Sequence, residues 1–157
     1  MKIRHLNGEI LKNMFIQGNN LLYNNRNLVD SLNVFPVPDG DTGTNMALTF
    51  DSAVNEILKI ENPSVESVAK AASKGSLMGA RGNSGVILSQ ILRGLEKGCR
   101  GKEVLTVEDF AYALKVASDT AYKAVMKPIE GTILTIIREA SEKALDLVNT
   151  SDDFIVF

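Results

Sequence analysis

Apolar residues return at helical spacing along almost the whole chain, and nowhere does the strand period of two hold for long. That pattern excludes a sheet-based fold and leaves an all-α architecture. Ile10, Leu11, Met14, Phe15, Leu21 and Leu22 share one helical face. Leu28, Val29 and Leu32 resume an apolar face beyond an amide-rich run of Asn19, Asn20, Asn24, Asn25 and Asn27. Asparagine favours caps and turns, so this run predicts a break between two helices. Ala47, Phe50, Val54, Ile57 and Leu58 predict a helix ending near Asn62. Asn62 as N-cap, Pro63 at the first position and Glu66 in the first turn predict the start of the next one. Leu88, Ile91, Leu92 and Leu95 mark a further helix that closes around Gly98 and Gly101. Thr106 and Asp109 spell a capping box, and the helix it opens runs toward Pro128. Ile133, Leu134, Ile137, Ala140, Ala144 and Val148 give the last. Short connections between such helices favour antiparallel packing as a bundle.

With 157 residues, 45% of them hydrophobic and 23% charged, the chain has room for one domain with a real core. The net charge of −2 with scattered basic residues argues against a nucleic-acid partner. A single cysteine, Cys99, and a single histidine, His5, cannot assemble a disulfide framework or a Cys/His zinc site, so any metal must be held by oxygen. Cys99 is expected to be a small apolar or partly exposed residue and His5 to be solvated. No leader-like segment opens the chain and no apolar run approaches the ~18 residues of a membrane span, which points to a cytoplasmic protein. The final residues, Phe154-Ile155-Val156-Phe157, form an apolar run without a cap. They predict a following segment that covers them, and hence a single domain over residues 1–157 truncated at its C-terminus.

Three stretches resist explanation by packing. The first is Asn33-Val-Phe-Pro-Val-Pro-Asp-Gly-Asp-Thr-Gly-Thr-Asn-Met46. Pro36 and Pro38 stiffen the approach to Asp39-Gly40-Asp41. Two carboxylates about 5 Å apart repel by roughly 3 kcal/mol at an effective dielectric near 20, and a cation reverses that sign. Thr42, Gly43, Thr44 and Asn45 follow at a helix start, where backbone N–H groups suit phosphate. Pro-Asp-Gly is also an ordinary turn sequence, and Asp and Thr are ordinary helix caps. The second stretch, Gly75 to Gly85, holds four glycines in eleven residues, too many for a helix interior. Asn83, Ser84 and Gly85 make it a second candidate phosphate cradle, with close helix packing or a flexible loop as the alternatives. The third, Lys127-Pro-Ile-Glu-Gly-Thr132, places Gly131 and Thr132 at another helix start. In an up-and-down bundle, such junctions can meet at one end.

Together these three stretches closely resemble the ATP-binding (DhaL-type) domain of dihydroxyacetone kinases, and most of all the N-terminal domain of the bacterial fatty acid kinase ATP-binding subunit. The resemblance runs from about residue 8 to about residue 150. It implies an antiparallel barrel of eight helices closed at one end by ATP and Mg²⁺. It also implies phosphoryl transfer to a substrate presented by a separate dihydroxyacetone-binding or fatty-acid-binding protein. By position it makes Asp39 and Asp41 the metal ligands that carry catalysis and Thr42 to Asn45 a phosphate-contacting turn. It makes Asn83, Ser84 and Gly85 a second nucleotide contact, and Gly131 and Thr132 a third. Dihydroxyacetone kinases carry another acid a few residues earlier, where Asn33 is the nearest equivalent and an amide-oxygen metal ligand. Only about six helices are expected here, so the barrel is expected to be open. The leading expectation is an Mg-ATP-dependent kinase domain that forms an acyl phosphate. A dihydroxyacetone kinase subunit, a non-catalytic nucleotide-sensing or docking module, and a purely structural helical protein stay open, as does a homodimer.

Overall fold

A computed structural model describes residues Met1–Phe157. It is all helical: α1 (Gly8–Leu32), α2 (Thr42–Leu58), α3 (Val65–Met78), α4 (Gly82–Cys99), α5 (Val107–Ala124) and α6 (Ile133–Leu147). Leu6 and Leu105 form an isolated antiparallel bridge and the chain contains no strand. No helix is long and apolar enough to cross a membrane.

The predicted break at the asparagines does not occur, and α1 runs unbroken through them for 25 residues. Packing overrides propensity here. Asn19 is buried and its amide donates to the Asp51 carboxylate of α2 at 3.1 Å, while Asn25 donates to the Leu21 carbonyl one turn back. The next helix ends at Leu58 rather than near Asn62, and Ser64, not Asn62, caps α3. Ser64 and Ser67 exchange side-chain and backbone hydrogen bonds in a capping box. Nor does Gly75 break a helix: it lies inside α3, where an added Cβ would come within 2.4 Å of the Ser52 carbonyl oxygen. The glycine lets α2 and α3 touch along their backbones, which repays its cost in helix propensity. The capping box at Thr106 and Asp109 is as expected. Of the terminal apolar run, Phe154 and Phe157 pack their rings edge-on to Phe110 of α5, while Ile155 and Val156 are exposed.

Each helix packs against the next in sequence, and α2 also packs on α4. Gly43 lies against Arg26 while Gly8 lies against Pro63, so α1 and α2 are antiparallel. Gly94 against Ala117 and Gly98 against Ala113 do the same for α4 and α5. Two apolar clusters result. Ile57, Val65, Val68 and Ala72 anchor the larger, and Ile91, Ala117, Leu134 and Ile137 the smaller, between α4, α5 and α6. Burying each large aliphatic side chain contributes about 1.5–3 kcal/mol. α1 touches only α2 and α3, and α6 only α4 and α5, so the six helices form an open array rather than a closed ring. The starts of α2, α4 and α6 lie at one end of it. The Leu6–Leu105 bridge and the Phe154–Ile3 backbone hydrogen bond tie the other end.

Candidate functional site

All three unusual stretches come together at the end where α2, α4 and α6 begin. A Cβ on Gly82 would approach the Asn45 amide to 2.4 Å, and one on Gly85 the Thr49 hydroxyl to 2.3 Å, so the start of α4 is laid along the first turns of α2. The Thr49 hydroxyl, fully buried, donates to the Asn45 carbonyl at 2.8 Å and accepts the Arg81 N–H at 3.1 Å. At the third junction a Cβ on Gly131 would lie 3.7 Å from the Phe35 ring of the acidic loop.

Two side chains of α1 and its C-cap build the acidic loop. The Asn33 amide oxygen accepts the N–H groups of Asp41 and Thr42 at 3.2 and 3.3 Å and the Thr42 hydroxyl at 2.9 Å. Its amide nitrogen donates to the Val37 carbonyl at 3.0 Å. Asn33 therefore clips the two ends of the loop together, and its oxygen accepts three donors. Asp30 performs the second task. Its carboxylate accepts the Thr44 N–H at 2.9 Å and the Thr44 hydroxyl at 2.6 Å, capping α2 from a neighbouring helix. Burial alone would raise the Asp30 pKa. The Thr44 hydroxyl, the N–H groups of Thr44 and Gly43, and the Arg26 charge outweigh it and hold the carboxyl below the usual range.

Because Asp30 and Asn33 do the capping, Asp41 does not. Asp41 stands at the N-cap of α2 without a side-chain cap bond. Asp39 and Asp41 are both exposed, and neither carboxylate takes part in an ion pair. The internal hydrogen bonds of their loop are made by other groups. This hard-oxygen donor pair fits Mg²⁺, which is commonly held by one or two carboxylates with water and phosphate oxygens completing its shell. No group of three or more acidic, histidine or cysteine side chains gathers anywhere in the chain.

At the first turn of α2 the N–H groups of Thr42 and Thr44 are bonded to Asn33 and Asp30. The start of α4 differs. Arg81 at its N-cap makes no side-chain cap bond, and the N–H groups of Gly82, Asn83 and Ser84 have no backbone partner. Gly82 turns the chain there with φ +62°. Free N–H donors at a helix N-terminus suit an anion. At α6, Thr132 accepts the Leu134 N–H as N-cap while its hydroxyl donates to the Ile129 carbonyl. Asp30 and Thr49 escaped the sequence reading because their partners lie 14 and 32 residues away.

A family model described as DAK2 domain matches residues 36–156. The chain belongs to the DAK2 domain family. It is 50% identical over 153 residues to an uncharacterised protein of Staphylococcus epidermidis and equally to the protein YloV of Bacillus subtilis. Identity to an uncharacterised protein of Staphylococcus aureus is 48%. Each alignment covers 98% of this chain but 28% of the relative, so the chain spans little more than a quarter of the length of these relatives. The DAK2 domain is an ATP-binding, kinase-type module of the dihydroxyacetone kinase family. In this DAK2 domain α1, which supplies Asp30, lies before the matched region and is covered by the pairwise relatives.

Neither of the two residues with latent nucleophilic chemistry serves the site. Burial pushes the Cys99 thiol up to about 12, with the Glu96 and Asp109 carboxylates adding to the rise. Cys99 is fully buried, where a partly exposed residue was among the expectations. His5 is exposed, as expected, in the N-terminal segment at the opposite end of the array.

Proposed function

We propose that this DAK2 domain binds Mg-ATP and donates its γ-phosphoryl group to an acceptor held by a separate protein. One observation carries the proposal. The carboxylates of Asp39 and Asp41 are kept free by Asn33 and Asp30, within a cluster that includes the free N–H groups of residues 82–84. Asp39 and Asp41 would hold Mg²⁺, which neutralises charge on the phosphate oxygens when bound. Gly82, Asn83, Ser84 and the buried Gly85 would orient the phosphates, with the Asn45 amide beside them and exposed Arg81 adding positive charge. Gly131 and Thr132 close the third side. Thr42, Gly43 and Thr44 serve by holding the loop rather than by touching nucleotide. Catalysis on this plan is positioning and electrostatics.

The acceptor enters from outside, because no base or nucleophile of this chain stands beside the acids. The family resemblance favours a fatty acid. Its carboxylate oxygen would attack the γ-phosphorus, the bond to the bridging oxygen would break, and an acyl phosphate and ADP would leave. A binding protein that carries the acyl chain keeps the tail from water. Calorimetric titration of the full-length protein with MgATP, repeated on Asp41→Asn, tests the metal assignment. The variant is expected to bind at least about tenfold more weakly, a change of ~1.4 kcal/mol. Equal affinity sinks the assignment. Transfer of label from ATP to dihydroxyacetone but never to carrier-bound fatty acid would overturn the acceptor and leave the kinase intact.

A further inference from the structure

Glu130 lies in the third junction, exposed, with no packing reason to be an acid. Yet three donors from two helices converge on it. One carboxylate oxygen accepts the Tyr122 hydroxyl of α5 at 2.9 Å. The other accepts the Thr135 hydroxyl and the Arg138 guanidinium of α6, the latter at 3.2 Å. Thr135 has one hydroxyl proton and gives it to Glu130, so a lone pair is left to accept the Gly131 N–H at 2.8 Å. A directed chain therefore runs from Gly131 through Thr135 to Glu130, and each bond polarises the next. Gly131 is held at φ +80°, a conformation that L side chains rarely adopt, beside the Phe35 ring of the acidic loop. With the Gly131 N–H drawn back toward Thr135, the N–H groups of Thr132 and Ile133 remain without a backbone partner.

We propose that Glu130 is a positioning residue: acting through Thr135, it fixes the Gly131–Thr132 turn against the acidic loop and so sets the affinity of the site for MgATP. The proposal rests on the Mg-ATP reading above. An exposed acid of this kind contributes little to global stability, so the expected effect falls on binding. Without the carboxylate, the Thr135 hydroxyl turns its proton to a nearby helical carbonyl and loses its fixed orientation toward Gly131.

The test is MgATP calorimetry on the full-length protein carrying Glu130→Ala, Thr135→Val, both together, and Glu130→Gln. Each of the first two is expected to weaken binding about tenfold, and the pair no more than either alone, because they interrupt one chain. Glu130→Gln keeps one acceptor oxygen and should fall between wild type and Glu130→Ala. Melting midpoints should stay within about 2 °C of wild type, as for surface changes. Wild-type binding with equal affinity in Glu130→Ala, or additive losses in the double variant, overturns the positioning role alone. Absence of MgATP binding by the wild type overturns the Mg-ATP reading and this inference with it. Should Glu130→Ala not fold, Thr135→Val still decides, since it removes only the relay hydroxyl.

Discussion

The starts of α2 and α4 look alike in composition, each a run of glycine with small hydroxyl and amide residues, but they have opposite states. At α2 the donors of the first turn are consumed by Asn33 and Asp30, and two acids are left free outside it. At α4 no side chain caps the helix, and three N–H groups are left free. One junction leaves carboxylates unpaired and the other leaves N–H donors unpaired. A helix N-terminus keeps donors free for an anion only where nothing else in the fold has reached it first.

Substitutions separate the two. The largest effect is expected from Gly43→Ala, whose Cβ would come 2.1 Å from the Arg26 carbonyl oxygen on α1. Backbone cannot yield as a flexible side chain does, so stability should fall by about 3 kcal/mol, the upper range for overpacking, in chemical denaturation. Gly82→Ala meets a side-chain amide instead, at 2.4 Å, and a φ of +62°. It should weaken MgATP binding about tenfold by calorimetry while losing only about 1–2 kcal/mol of stability. Equal loss of binding from both, at matched stability, would erase the distinction between the junctions.

Asp30→Asn comes next. Loss of the negative charge at the α2 N-terminus should cost about 0.5 kcal/mol of stability and loosen the acidic loop, read as a lower melting midpoint. The smallest effect is in pH. The folded Asp30 carboxyl is held below its usual value, so its contribution is fully present above the unfolded pKa of about 3.9 and is lost as pH falls through the lower folded value. The melting gap between wild type and Asp30→Asn should be constant from neutral pH down to about 5 and close below about 4. A gap that widens in acid would contradict the capping role.

The helical class and the three helix junctions were legible from periodicity and local spacing. What stayed hidden was tertiary. The asparagines of α1 read as a break because propensity carries no information about Asp51 across the helix interface. Gly75 read as a loop because its reason for being glycine is the backbone of α2. Asn33 stands near the missing acid in sequence, and no local pattern announced its bonds to Val37 and Asp41. Its amide, with both donor and acceptor, is what lets one side chain clip both ends of the loop. Asp30 offered no signal, since a cap delivered from another helix has no fixed spacing to its target.

A crystal structure of the full-length protein with Mg²⁺ and a non-hydrolysable ATP analogue tests the central claim most directly. The metal should sit on Asp39 and Asp41, with phosphate oxygens on the N–H groups of Gly82, Asn83 and Ser84, while Asn33 and Asp30 keep their bonds to the loop and to α2. Phosphates seated instead on the N–H groups of Thr42 and Thr44, with Asp30 displaced, or a metal bound without either aspartate, would contradict it.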